Sequence, residues 1–490
     1  MSIIEILKQK FGYDTFRVGQ EDVILSVLKG QDTVALLPTG TGKSLCYQLP
    51  SYMMEGTTLI VSPLLSLMQD QVEQMKVRGE KSVLALNSFL TADERKLAFK
   101  RLHTVKFLFV SPEILQNDYI LRRIKQLSIS LFVIDEAHCI SQWGPDFRPD
   151  YMLLGDIKNQ LNNPTTLALT ATATMSIRED IINQLNLVHP NELIYSVDRP
   201  NIAINIIHVE DYKEKVEQLI SLVNQLNGPG IVYFSSRKLT EEISERLNRN
   251  EHLNVAFYHG EMDQEQRTLI QQQFIYNELD VICATSAFGM GINKENVRFV
   301  IHFHMPSTVE AYLQEIGRAG RDGKQSISIL LSSDYDESLP LNMIENELPS
   351  QIQIERFFQW NSRVSMSQEE YAGLNNVQFR LLSYYDTFLG NKDSKEKIYI
   401  ISQRIEERKN KKIHQLFSMI RWKNSVECRR EGLLRYFDEQ LKSKPLVCCD
   451  RCGINENDFY KSNDLRSSNK NDSWKDRLDY LYRQGKYKHE

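Results

Sequence analysis

Thr33-Val-Ala-Leu-Leu-Pro-Thr-Gly-Thr-Gly-Lys-Ser44 opens as a short aliphatic run and breaks into a glycine-punctuated turn that ends in Lys-Ser. The run reads as a buried strand and the residues after Ser44 as a helix. The turn between them reads as a phosphate cradle that reaches from Thr39 through Thr41 to Ser44. Gly40 and Gly42 let successive backbone N–H groups point at a polyphosphate, Lys43 supplies a point charge for the β and γ oxygens, and Ser44 supplies a hydroxyl for Mg²⁺. The general pattern wants its first glycine where Leu37 stands, which is the one departure. A strand, a phosphate loop and a helix in this order define an α/β fold and place nucleotide chemistry at the edge of a parallel sheet.

Working outward, apolar runs rich in Val, Ile, Leu and Phe recur at 57–62, 82–86, 107–111, 131–135 and 166–170, with helical stretches between them. A second series follows at 230–235, 255–259, 281–285, 298–303 and 327–331. Such alternation indicates parallel sheets covered on both faces. The chain of 490 residues is too long for one core. It divides into a first, nucleotide-binding lobe (1–205), a second lobe (206–340), a helical connector without an assigned role (341–394), a cysteine-bearing helical subdomain (395–456) and a polar tail expected to be mostly disordered (457–490). The segment 197–206, with Asp198-Arg-Pro-Asn201 in it, is the expected hinge.

Composition is that of ordinary globular material, 41% hydrophobic and 25% charged, with no apolar run long enough to span a bilayer, so a soluble cytoplasmic protein without a membrane partner is expected. The net charge of −5 excludes a uniformly basic coat, yet positive charge is concentrated. From Lys392 to Arg430 stand twelve Lys/Arg against five Asp/Glu, on sequence that reads helical. That is either a solvated helix face or a polyanion surface.

Leu131-Phe-Val-Ile-Asp-Glu-Ala-His138 is an apolar strand ending in paired carboxylates. At the carboxyl edge of a sheet that carries a phosphate loop, Asp135 is placed to hold Mg²⁺ through water and Glu136 to orient or deprotonate the attacking water. Asp135-Glu-Ala-His138 resembles the motif of DEAH-type helicases of superfamily 2, and the surrounding words resemble the RecQ family of ATP-dependent DNA helicases. Phe11-Gly-Tyr13 followed by Phe16-Arg17-Val-Gly-Gln20 is similar to that family's adenine-recognition segment, which implies that Phe16, Arg17 and Gln20 bind the base. Ser62-Pro-Leu-Leu-Ser-Leu-Met-Gln-Asp-Gln71 and Val110-Ser-Pro-Glu113 are similar to first-lobe motifs that meet nucleic acid. His138 to Pro149 resembles the aromatic-rich loop, with Gln142, Trp143, Phe147 and Arg148 as expected contacts; aromatic faces suit exposed bases and a guanidinium suits phosphate.

The second lobe continues the resemblance in the expected order: Tyr233-Phe-Ser-Ser-Arg237, Tyr258-His-Gly260, 285–293, and Gln314-Glu-Ile-Gly-Arg-Ala-Gly-Arg-Asp-Gly323. Ser235, Arg237 and Thr285 are implied DNA contacts, while Gln314, Arg318 and Arg321 are implied partners of the γ-phosphate, the two arginines being placed to face the first lobe from one helix. Cys428 followed by Cys448-Cys-Asp-Arg-Cys452 resembles the family's zinc-binding subdomain, and four thiolates suit a closed structural Zn²⁺ site. The family's usual spacing puts a cysteine at Leu446, whereas here Cys448 adjoins Cys449, so a three-cysteine or metal-free variant stays open.

The resemblance covers about residues 1–453 and implies two tandem RecA-like lobes, ATP, Mg²⁺ and structural Zn²⁺ as ligands, and 3′ to 5′ unwinding of DNA in recombination or repair. Its implied partners are single-stranded, tailed or branched DNA, together with single-stranded-DNA-binding or recombination proteins. The 38 residues after Cys452 leave no sequence for the winged-helix and C-terminal accessory domains of many relatives, so the usual strand-separating wing is not expected. A translocase or remodeller with weak strand separation is therefore one alternative. A zinc-stabilised DNA-binding protein with a nucleotide switch is another, of a different class.

Overall fold

The computed structural model describes residues 2–63, 65–87, 90–141, 148–249, 252–289, 294–360 and 365–461. Seven strands form the first sheet: β1 Thr33–Leu36, β2 Thr57–Val61, β3 Val83–Leu86, β4 Phe107–Val110, β5 Ile129–Ile134, β6 Thr165–Thr170 and β7 Asn191–Ile194. Their order is β3-β4-β2-β5-β6-β1-β7 and every pairing is parallel. Because helices cover both faces, the central strands read as continuous apolar runs; every residue from Leu131 to Ile134 is 0% exposed. β7 was not anticipated, because Asn191 and Glu192 give an edge strand a polar look.

The second sheet contains β8 Ile202–His208, β9 Gly230–Tyr233, β10 Val255–Tyr258, β11 Val281–Ala284, β12 Phe299–His302 and β13 Ser326–Ser332, ordered β10-β11-β9-β12-β13-β8 and again all parallel. β8 occupies sequence expected to be hinge and starts at Ile202, ahead of the expected start of the second lobe at 206. Its pairing with β13 holds in place a run that its own composition leaves ambiguous. In both sheets the loops that carry charged and hydroxyl side chains leave the carboxyl ends of the strands, where an open parallel sheet binds ligands.

Beyond β13 the chain is helical. Helices Ser338–Glu347, Gln351–Gln359, Gln368–Ala372 and Asn376–Leu389 pack with the first turns of the 31-residue helix Ser394–Asn424 around Ile354, Phe357, Leu382, Tyr385 and Ile401. The connector thus has a small core of its own. The long helix reaches the second lobe, where Trp422 lies 4.8 Å from Tyr312 between ring centroids. Helix Arg429–Tyr436 follows, and the loop after it lies along β8: Ile204 donates its N–H to the Cys448 carbonyl at 3.1 Å. That contact covers an edge the sheet otherwise leaves bare.

Arg430, 2% exposed, ties this helix to the chain between the lobes. Its guanidinium donates to the Asp198 carboxylate and to the carbonyls of Arg199 (3.0 Å) and Ile202 (2.6 Å). Arg430→Ala strands a part-buried carboxylate and two carbonyls and should destabilise the chain by about 2 kcal/mol, read as a lower denaturant midpoint; an unchanged midpoint contradicts this anchoring role.

Candidate active site between the lobes

The phosphate loop leaves β1 after Leu37, whose N–H donates to the Thr170 carbonyl of β6 at 3.0 Å. Gly40 and Gly42 take φ of 86° and 74°, the left-handed region in which a side chain is strained. The loop is held from behind. Gln20 donates its amide N–H to the carbonyls of Thr41 (2.6 Å) and Gly42 (3.1 Å) and accepts the Arg17 N–H at 2.8 Å. Arg17 donates to the Gly40 carbonyl at 2.6 Å. Thr41 turns inward, its hydroxyl on the Pro38 carbonyl at 2.8 Å. Phe16 is half-buried and packs, as Phe11 does, against the small cluster of Ile6, Leu7, Ile24, Leu45 and Leu49. Phe11 and Tyr13 are the aromatics that line the cleft beside Arg17 and Gln20. The nearby apolar residues of the first two helices draw Phe16 in, a pull that motif spacing does not reveal.

The cleft encloses about 220 Å³ and brings Thr39, Gly40, Gly42, Lys43 and Ser44 together with Asp135 and Glu136. Asp135 ends β5, its N–H donating to the Val61 carbonyl at 2.9 Å. Glu136 stands in left-handed backbone (φ 48°), uncommon for a glutamate, and its N–H donates to Asp135 Oδ1 at 3.0 Å. That conformation turns two consecutive carboxylates toward one space. Burial, reinforced by the Glu136 charge and opposed by Lys43, pushes the Asp135 carboxyl up to about 7. Glu136 Oε2 is buried without a hydrogen-bond donor and lies 3.4 Å from His138 Nδ1, which is also 3.0 Å from Thr170 Oγ1. A carboxylate with a spare buried oxygen beside a raised neighbour, with the Ser44 hydroxyl on the same cleft, is a donor set that fits a hard divalent cation and a water.

The second lobe closes the cleft with Glu295, Gln314, Arg318 and Arg321. Helix Val309–Ile316 stops before either arginine, so they leave a turn and not one helical face as expected; glycines at 317 and 320 end the helix. Arg318 is 6% exposed and donates to the Gly289 carbonyl. Burial together with Arg318 and Arg199 lowers Arg321 to about 9. Arg199, in the segment expected only to be a hinge, is the site residue that motif reading missed. It donates to the carbonyls of Thr39 (2.8 Å) and Gly317 (3.1 Å) through one nitrogen and of Ala319 (3.0 Å) and Gly320 (2.7 Å) through the other. Asp198-Arg199-Pro200 was the available signal, since a proline restricts the backbone of the residue before it. The lobes touch closely here: a Cβ on Gly317 would stand 1.9 Å from Thr39 Oγ1.

The expected nucleic-acid contacts are divided. Gln142, Trp143 and Phe147 lie outside the described residues. Arg148 has its N–H on the Cys139 carbonyl at 3.0 Å and its guanidinium 3.8 Å from Glu113. Ser235 and Thr285 share a cleft of about 330 Å³ at the carboxyl edge of the second sheet. Arg237 is exposed and paired with Glu261. Ser62, directly after β2, is 2% exposed, and its hydroxyl is buried without a hydrogen-bond partner.

Cys428, Cys448, Cys449 and Cys452 present four sulfurs within 4.8 Å of one another. The separations of 3.6 Å (Cys428–Cys448), 3.8 Å (Cys428–Cys449) and 3.4 Å (Cys449–Cys452) lie at or a few tenths of an ångström below the sulfur spacing of about 3.8 Å in tetrahedral Zn–S₄. Cys448 therefore belongs to the cluster despite its adjacency to Cys449. The backbone N–H of Arg429 points at the Cys449 sulfur at 3.4 Å, a hydrogen bond that favours thiolate.

Two parallel-sheet lobes with a phosphate loop, paired carboxylates and arginines from the opposite lobe define a two-lobed nucleotide-driven motor of the helicase class. Residues 17–181 match the DEAD/DEAH box helicase family, 214–323 the helicase conserved C-terminal domain and 391–454 the RecQ zinc-binding family. The chain is 45% identical over 487 residues to the probable ATP-dependent DNA helicase RecS of Bacillus subtilis, covering 98% of this chain and 97% of that one. It is 44% identical to the ATP-dependent DNA helicase RecQ of Pasteurella multocida, covering 68% of this chain and 52% of the relative. In fold it is similar to the DUF1998 helicase MrfA bound to DNA, with a TM-score of 0.59 at 18% identity over 68% of this chain and 51% of that one. The chain belongs to the RecQ family of ATP-dependent DNA helicases. Its nucleotide is ATP and its four-cysteine cluster is a structural zinc site. No helix among the described residues is long and apolar enough to cross a membrane.

Cys448→Ser should lower the zinc content measured by atomic absorption and lower the thermal midpoint; full zinc retention contradicts four-cysteine ligation. Gly317→Val, whose side chain has no room against Thr39 in the closed cleft, should cut ATP turnover about tenfold or more at a nearly unchanged thermal midpoint.

Proposed function

We propose that this chain couples ATP hydrolysis in the interlobe cleft to 3′ to 5′ movement along single-stranded DNA and to separation of duplex strands, in recombination or repair. The observation that carries the reading is the convergence of Lys43, Arg318 and Arg321 on the cleft that also holds Asp135 and Glu136. Three cations gathered from two lobes match a triphosphate, and the carboxylates match its hydrolysis.

In this reading the backbone N–H groups of Gly40 and Gly42 and the ammonium of Lys43 hold the β- and γ-phosphates. Ser44 and Asp135 would hold Mg²⁺, which would supply charge neutralisation to the bound triphosphate. Glu136 accepts the proton of the attacking water at Oε2. Arg318 and Arg321 stabilise the charge that builds on the leaving phosphate oxygens, and Gln314 orients the γ-phosphate. Since the arginines come from the second lobe, ATP favours the closed cleft and hydrolysis weakens that preference; the difference drives the lobes. Tyr13, Arg17 and Gln20 face the adenine end of the cleft.

On the nucleic-acid side Ser235 and Thr285 in the second lobe and Arg148 in the first contact the phosphates, with the aromatic loop between 142 and 147 stacking on bases. His138, in touch with both Glu136 and Thr170, connects that loop's amino-terminal end to the hydrolytic carboxylate.

Lys43→Ala should abolish DNA-stimulated ATP hydrolysis with the fold intact, and retained turnover refutes the site. Strand displacement should occur on a 3′-tailed duplex and fail on a 5′-tailed one. ATP turnover without displacement on either would instead support a translocase.

A further inference from the structure

Residues 324–390 lie between the second and third family matches; after β13 they form the helical connector, which belongs to a body carried by the second lobe. Among the described residues that body reaches back to the first lobe with an ion pair from one side chain. Arg380, on helix Asn376–Leu389, donates through a single terminal nitrogen to Glu113 Oε1 at 3.2 Å and to Asp150 Oδ2 at 2.9 Å. Around this contact a cleft of about 310 Å³ separates Phe379 and Tyr384 of the connector from Gln116 and Leu153 of the first lobe. The contact is therefore narrow, and it is ionic.

The two acids hold positions next to the expected nucleic-acid track. Glu113 closes the Val110-Ser-Pro-Glu motif, and Asp150 follows the carboxyl end of the aromatic-rich segment, two residues after Arg148. Arg148 also points at Glu113, and at the same oxygen, Oε1, but from 3.8 Å. Two guanidiniums thus compete for one carboxylate atom, and the connector's arginine is the nearer. Without Arg380, Glu113 has one remaining cation within reach of Oε1, and its charge together with that of Asp150 would draw Arg148 onto it. A guanidinium bound in an ion pair is a poor phosphate ligand, because its charge is compensated and its donors are occupied.

We infer that Arg380 is a positioning residue: by taking Glu113 it leaves Arg148 available to a nucleic-acid phosphate, so that docking of the connector on the first lobe strengthens the grip on DNA. The inference rests on the proposed role of Arg148 as a phosphate contact. Because the connector travels with the second lobe, the same contact makes the grip depend on lobe position. When the lobes part, Arg380 leaves and Glu113 recaptures Arg148; when they close, the exchange reverses. This gives the motor a tight and a loose state on the first lobe, coupled to the opening and closing of the nucleotide cleft.

The test is the affinity of the full chain for a fluorescent oligo-dT as a function of salt, for the wild type, Arg148→Ala, Arg380→Ala, Glu113→Gln and the two doubles that combine Arg380→Ala with each of the others. Arg380 is half exposed, so its removal should leave the thermal midpoint unchanged. Arg380→Ala should weaken binding about threefold or more and reduce the salt slope by about 0.7, the share of one phosphate contact on a single strand. Adding Glu113→Gln should restore the affinity, and adding Arg148→Ala should produce no further loss. Wild-type affinity in Arg380→Ala, or losses that add in the Arg148→Ala double, would overturn the inference, the second by showing that Arg380 touches phosphate itself. If Arg148→Ala alone binds like the wild type, it is the proposed phosphate contact that fails, and the inference falls with it.

Discussion

Four carbonyl groups from two lobes converge on the guanidinium of Arg199, and the relation of the phosphate loop to the arginine turn depends on them. Thr39 belongs to the loop that cradles phosphate, whereas Gly317, Ala319 and Gly320 belong to the turn that carries Arg318 and Arg321. A planar, permanently charged fork is suited to this, because it donates in two fixed directions and its donors cannot all be satisfied by one lobe. Burial makes the contact expensive to lose: unpaired, each carbonyl costs about 1–3 kcal/mol. The segment that reads as a passive hinge is thereby a gauge for the distance across which hydrolysis occurs.

Arg199 is itself positioned from a third direction. Its own carbonyl accepts from Arg430, two residues after the zinc ligand Cys428, and Arg430 also holds Asp198. Arg429, between them, donates through its guanidinium to Asp450 and to the carbonyls of Trp422 and Lys423 and through its backbone to the Cys449 sulfur. The zinc cluster therefore fixes a short helix whose arginine fixes the linker whose arginine fixes the cleft. Zinc bound to the four cysteines would hold this course of contacts together, which would give a structural ion a place in the energetics of the motor without any part in its chemistry.

Most of the motor was legible in the sequence because its parts are local. Strands buried on both faces read as apolar runs, a phosphate loop needs glycines and Lys-Ser at fixed spacing, and paired carboxylates follow a strand directly. What was not legible arises from tertiary contact. β8 owes its conformation to β13, so its own run looked like hinge. Phe16 has the composition of a base-stacking aromatic, and only the position of Ile6, Leu7 and Leu45 shows that it packs against an apolar cluster. Arg318 and Arg321 have helical spacing, yet flanking glycines end the helix first. Cys448 looked misplaced by a count of residues, although the backbone turn brings its sulfur 3.6 Å from Cys428. Arg199 and Arg380 carry no motif, because their partners lie on other elements.

The most direct measurement is the steady-state ATPase of Arg199→Lys in saturating single-stranded DNA, with nucleotide affinity and zinc content measured beside it. Lysine keeps the charge and loses the fork, so the phosphate loop and the arginine turn keep their residues and lose their register. The account predicts a fall in kcat of about tenfold or more, with nucleotide affinity within a few-fold of the wild type and zinc retained. Wild-type turnover in that variant would contradict it, since the cleft would then be set without Arg199.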